Sequence, residues 1–400
     1  MASLTRAGRF VSQPAGYKAF IPANLPPEPP IQLDAGLLSL LSRADQAVGR
    51  LDGVAQTLPS PDLFVAMYVR REAVLSSQIE GTQSTLDDVL EFELDSGAKG
   101  VPQDVGEVVN YVRAMNHGLQ RMDTLPLSLR LIREIHRELL QGVRGAERSP
   151  GEFRTSQNWI GAGIVPLARA RLVPPPVFEM QAALDNLEKF LHDPGDLPVL
   201  VQCGLAHAQF ETIHPFLDGN GRVGRLLITL LLCQRGVLSQ PLLYLSHHLK
   251  LFRTEYYDRL MALRETGDWE GWLRFFLDGV ASTAEEAATT ASAIVALRER
   301  HRALIQEKEA GINGPRLLDV LFRRSLVNVS VVAQELGVVF ATANRLVEQF
   351  ARIGLLEEIT GAQRNRRYRY APYLALFADQ DLSPPDAAPT QSTHSAVRTN

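Results

Sequence analysis

The twelve residues HPFLDGNGRVGR at positions 214–225 bring together one histidine, one carboxylate, three glycines and two arginines. Glycines at 219 and 221 let successive backbone N–H groups turn toward one point. The apolar run LLITLLLC at 226–233 then predicts a buried helix, whose N-terminal dipole favours negative charge at that point. Arg222 and Arg225 are three apart, so they share a helix face and can both reach oxygens of a polyphosphate. Asp218 suits Mg²⁺, which takes one or two carboxylates beside phosphate oxygens. His214, at the end of the preceding helix, stands as general base for an attacking hydroxyl. Two other readings stay open: a plain tight turn between helices, and a zinc site of His207, Glu211 and His214, spaced four and three apart. Pro215 tells against the second, because the helix ends where the third ligand would sit.

These residues need rigid elements on both sides, and the pattern supplies them. Helical periodicity predicts helices over 199–213 and 223–235, the second apolar nearly all round. Ser60-Pro61-Asp62 is a helix start, with the helix running to Glu80 before Gly81, and Ser84 or Thr85 caps another. In 151–176, glycines and prolines punctuate short apolar pieces, which predicts a β-hairpin or extended flap. The expected organisation is mostly α: a Pro-rich arm at 1–34, a helical region at 35–125, a catalytic unit at 126–280, a connecting helix at 281–312, a smaller unit at 313–377 and a disordered tail at 378–400.

The 400 residues carry a net charge of -4, which gives the whole chain no attraction to nucleic acid or anionic membrane. Two cysteines, Cys203 and Cys233, both in apolar helical stretches, exclude a disulfide scaffold and point to a reducing cytoplasm. No apolar run approaches the roughly 20 residues needed to span a bilayer.

His214, Phe216, Asp218, Gly219, Asn220, Gly221, Arg222 and Arg225 fill every fixed position of the Fic family signature, and the chain resembles that family over about residues 35–280. GEFR and NWIGAG before VPPP resemble its flap, and YLSHHLKLFRTEYYDRL the segment after its core. The resemblance implies a Fic-type helical core that transfers AMP from ATP to a Tyr, Thr or Ser hydroxyl of a target protein. It implies His214 as base, Asp218 on Mg²⁺, and Phe216 packed inward. Gly219, Asn220 and Gly221 would hold the α- and β-phosphates through their amides and the Asn220 side chain. Arg222 and Arg225 would hold the outer phosphates, with Val223 and Gly224 in the same nucleotide site and Lys250 and Tyr257 bordering it. Ser76-x-x-x-Glu80-Gly81 resembles the family's inhibitory motif, in which Glu80 would pair with Arg225 and deny it to the γ-phosphate. A homodimer is common among similar proteins, and removal of AMP, with Glu80 positioning water, is an alternative reaction.

Residues 313–371 resemble a winged helix-turn-helix and carry nine arginines against five acids, a net of +4. Arg364, Arg366, Arg367 and Arg369, interleaved with Tyr368 and Tyr370, suit phosphates in a DNA groove. The alternative is that Arg and Tyr alternate as the two faces of a strand in a protein-contact module. A regulator that senses ATP and binds DNA is the competing reading for the whole chain.

Overall fold

The computed structural model describes residues 4–56, 61–95, 102–160 and 166–378. In the segment read as a Pro-rich arm, a three-stranded antiparallel sheet forms from β1 (Leu4–Thr5), β2 (Gly8–Ser12) and β3 (Lys18–Pro22). It is part of the core: Phe20 is fully buried, its N–H donates to the Val173 carbonyl, and Gln209 donates to the Ala23 carbonyl. The sign missed in the sequence was Pro-Ala-Gly at 14–16 between two short apolar runs.

Helices follow: α1 (Ala35–Gln56), α2 (Pro61–Ile79), α3 (Leu86–Leu94), α4 (Val105–Met122), α5 (Leu129–Leu139), α6 (Val177–His192), α7 (Val199–Ile213) and α8 (Asn220–Gln234). Thr85 caps α3 with a full capping box, its hydroxyl accepting from the Asp88 N–H while the Asp88 carboxylate accepts from the Thr85 N–H. The Ser60 cap foreseen for α2 lies outside the described residues. Helix α8 is buried almost throughout and packs between α4, α5 and α7, which fixes the corner at its N-terminus. The expected hairpin at 151–176 is reduced, among the described residues, to one antiparallel bridge between Ile160 and Leu172, with 161–165 outside them.

Beyond α9 (Ser246–Leu251) and α10 (Arg253–Thr266), α11 runs unbroken from Trp269 to Glu307. The boundary placed between 280 and 281 thus falls inside one continuous helix. Trp269, Trp272 and Phe276 anchor the first turns in the core, and alanines at 281, 284, 287, 288 and 291 carry the same buried stripe onward.

The C-terminal unit comprises α12 (Asn313–Arg323), β4 (Leu326–Asn328), α13 (Val329–Leu336), α14 (Phe340–Arg352), β5 (Glu357–Glu358), β6 (Arg367–Arg369) and α15 (Ala371–Leu374). Gly337 closes α13 at φ 65°, a left-handed turn that suits glycine. The strands form an antiparallel sheet in the order β4-β6-β5. Tyr368 and Tyr370 are buried while Arg367 and Arg369 lie on the opposite side, the two-faced strand arrangement weighed in the sequence.

Candidate functional site

Helix α7 ends where His214 takes the left-handed conformation, φ 48°, and the chain turns through Phe216 and Asp218 to Gly219 at φ 76°, the residue before α8. Three devices hold this turn. The Asn220 carboxamide accepts from the Phe216 N–H and donates to the Phe216 carbonyl, both at 2.8 Å. The Phe216 ring stacks on His136 at 3.7 Å, and His136 Nε2 lies 3.0 Å from the Asp218 carbonyl. Because His136 Nδ1 accepts from the Gly151 N–H, the ring is neutral with its proton on Nε2, donated to Asp218. Burial pushes the His136 pKa down to about 4, which keeps it so. Arg154, from the GEFR segment, and Asn158 both donate to the His214 carbonyl, and Asn158 also reaches the Phe216 carbonyl. His136, Arg154 and Asn158 carry no role in the sequence reading. GEFR and NW were the visible signal for the last two; His136, on a separate amphipathic helix, left none.

The Asn220 side chain, expected on phosphate, here clamps Phe216, with one N–H of its amide nitrogen left over from these two bonds. Its backbone N–H, with those of Gly219 and Gly221, remains at the helix start. Arg222 is likewise held elsewhere, fully buried against Glu107 of α4 at 2.8 Å, with Asp218 at 3.7 Å.

Ser76, Glu80 and Arg225 are brought together. Arg225 Nη2 lies 2.6 Å from Glu80 Oε1 and donates to the Ser76 carbonyl, while its Nε donates to the Ser76 hydroxyl. The Glu80 carboxylate rests directly on the start of α8, since a Cβ at Gly221 would fall 2.2 Å from Oε1. The carboxylate therefore lies against the first turn of α8, beside Arg225. Burial raises the Glu80 pKa, but Arg225, with Arg222 and His214, outweighs it and holds the carboxyl below its ordinary value. Gly81, at φ 99°, lets the chain leave α2 immediately after the carboxylate.

The imidazole of His214 has its Nδ1 buried without a hydrogen-bond partner. Burial first, then the Arg264 charge, pushes its pKa down to about 4, so the ring is a neutral base at ordinary pH. Asp218, 39% exposed on its side chain, faces outward with one carboxylate oxygen accepting from the Gly219 N–H. A single outward carboxylate beside an amide corner suits Mg²⁺ held mainly by phosphate.

The zinc alternative fails: among the described residues no three His, Cys, Asp or Glu side chains cluster as ligands. His207 instead bridges the Gly224 carbonyl and the Tyr256 hydroxyl, each at 2.9 Å. Gly224 must stay small, because a Cβ there would fall 2.5 Å from Glu211 Oε1. Val223 is fully buried in the core. Tyr257 lines a cavity of about 420 Å³ with Ile160, Leu172, Glu211, Met261 and Arg264. Lys250 is exposed and donates to the Gln78 side chain, placing it beside the end of α2.

Two family models match this chain: Fic/DOC family N-terminal over residues 38–120 and Fic/DOC family over residues 126–232. The chain belongs to the Fic/DOC family. The protein adenylyltransferase Fic of Aedes aegypti is 34% identical over 162 residues, covering 40% of this chain and 29% of that protein. That of Drosophila grimshawi is 29% identical over 213 residues, covering 52% and 40%. The matches thus span well under half the length of these relatives. The crystal structure of a Fic family protein from Desulfovibrio desulfuricans G20 superposes with a TM-score of 0.55 at 21% identity, over 85% of this chain and 97% of that one. That share is larger than residues 1–280 can supply, so the likeness of fold reaches into the C-terminal unit. Among the described residues no helix is long and apolar enough to cross a membrane.

Proposed function

We propose that this Fic/DOC protein transfers AMP from ATP to a Tyr, Thr or Ser hydroxyl of a target protein, and that Glu80 restrains it. The observation that carries the proposal is the Glu80–Arg225 pair seated over Gly221, which occupies the arginine that this reading gives to the outer phosphates. The relatives named as adenylyltransferases favour AMP as the group transferred.

In this reading neutral His214 takes the proton of the target hydroxyl as its oxygen attacks the α-phosphorus. The bond from that phosphorus to the β-phosphate bridging oxygen breaks, and pyrophosphate leaves. The amides of Gly219, Asn220 and Gly221 stabilise the charge on the transferring group, where aligned donors count most. Arg225 holds the outer phosphates once Glu80 withdraws, and Arg222 contributes from its buried position through charge alone. Asp218 would hold Mg²⁺, which neutralises phosphate charge when bound. The cavity beside Tyr257 would take the nucleoside. The bridge at Ile160 and Leu172 would offer a strand edge for the target segment, a pairing that tolerates many sequences.

The helix, strand, two-helix and hairpin order of the C-terminal unit supports a winged helix-turn-helix reading, with duplex DNA as its partner. ATP labelled at either the α- or the γ-phosphate tests the transfer in the Glu80→Gly background. The account expects covalent label from the α position alone; label from the γ position would replace AMP transfer with phosphate transfer.

A further inference from the structure

The arginines that would meet nucleic acid already hold an anionic row. On the outer face of β6, Arg367 lies 3.2 Å from Asp95 and 3.7 Å from Glu91, and Arg369, paired with Glu357 of its own sheet at 2.8 Å, also lies 3.8 Å from Asp87. Asp87, Glu91 and Asp95 sit along α3 and its C-cap, each four residues from the next. At 1.5 Å rise per residue this makes a line of carboxylates spaced about 6 Å apart along one helix side. A DNA backbone presents a similar regular row of negative charge.

The same α3 follows the inhibitory segment after only the six residues Glu80 to Thr85. Gln78 donates to the Ser84 carbonyl at 2.9 Å, and Gly81 is the turn between them. The C-terminal unit also bears on α2 itself: α12 packs against it and Phe377 meets Tyr68 edge-on at 5.3 Å. A cavity of about 480 Å³ lies between α2, α3 and this unit, lined by Arg70, Leu90, Glu93, Arg323, Arg324 and Glu335.

We infer that α3 masks a polyanion-binding face on the C-terminal unit, and that duplex DNA seated on Arg367 and Arg369 displaces α3 and loosens the Glu80 segment. The inference rests on the DNA reading of this unit. The arginine–carboxylate pairs are partly exposed, a setting in which each is weak and open to a competing anion. DNA, by releasing condensed counterions, is the stronger competitor at moderate salt. Linkage makes the effect reciprocal: what frees Glu80 from Arg225 also favours the DNA-bound form.

Fluorescence anisotropy of a labelled duplex with the full chain tests this, using wild type, Asp87→Asn/Glu91→Gln/Asp95→Asn and Arg367→Ala/Arg369→Ala. The acid variant is expected to bind about fivefold tighter, from removal of three weak competing pairs, and the arginine variant weaker, both effects shrinking in high salt. Hydrogen exchange over residues 76–95 should rise when duplex is added to wild type. If wild type binds and the arginine variant does not, but the acid variant is no tighter or 76–95 stays protected, the mask is refuted while the DNA reading stands. If no form binds duplex, both fall, and the face is a protein contact.

Discussion

In the proposed reaction three residues, His214, Glu80 and Arg225, decide the chemistry, and each is poised by its surroundings. His214 sits with its ring desolvated and cationic Arg264 nearby, so its conjugate acid is disfavoured and its pKa lies at about 4. Glu80 acts the other way and raises it. Activity should therefore hold as pH falls through the ordinary histidine range near 6.5 and decline only toward pH 4. In Glu80→Gly, which removes the raising charge, the acid limb should move lower still. A pH–rate profile of that variant breaking near 6.5 would show that His214 is solvated in the working state and that its burial here is not the relevant one. Arg225 differs from Arg222 in the same terms. Both are buried, but Arg225 meets Glu80, which is 32% exposed on its side chain and able to withdraw, whereas Arg222 is locked to buried Glu107.

At the level of elements, the site is a helix start held by its neighbours. The Asn220 carboxamide closes the loop onto Phe216 with two hydrogen bonds, and neutral His136 closes it onto Asp218. Asn220→Ala should destabilise the fold by about 2–3 kcal/mol, the cost of two buried bonds whose partners are left unpaired. Thermal unfolding measures this; a change under about 0.5 kcal/mol, the size expected of a surface position, would mean that the loop is held by packing alone. Much of this was legible in advance. The Gly-Asn-Gly spacing, the apolar run after it and the helix over 199–213 place the corner, because local residue types dictate helix ends. The Asn220 assignment was not legible, since a carboxamide suits phosphate and backbone equally and only the turn geometry decides. His136 was hidden for a related reason: its partners, Gly151 and Asp218, are remote in sequence.

For the whole molecule, α2, the helix that carries Ser76, is the shared part. One of its sides carries Ser76 to Arg225, and the C-terminal unit rests against it near Tyr68. The 39-residue α11 connects the core to that unit without a joint, with Tyr68 donating to the Ala287 carbonyl along the way. The sequence set a catalytic unit up to 280 and a connecting helix from 281; the continuous alanine stripe joins the two in one helix. The N-terminal sheet showed in the sequence only as the Pro-Ala-Gly turn at 14–16, because its strands are short and gain their burial from remote partners at Val173 and Gln209. Charge followed the same logic, as a net of +4 in the C-terminal unit is partly neutralised by acids of α3 rather than left free.

In the proposed mechanism Glu80 and the outer phosphates compete for Arg225. Intact-mass kinetics of the full chain with ATP and Mg²⁺, comparing wild type, Glu80→Gly and Glu80→Gly/His214→Ala, tests it most directly. The account predicts covalent AMP on Glu80→Gly at least about tenfold faster than on wild type, the equivalent of about 1.4 kcal/mol of released restraint, and none on the double variant. Equal rates for wild type and Glu80→Gly, with both binding ATP, would contradict it.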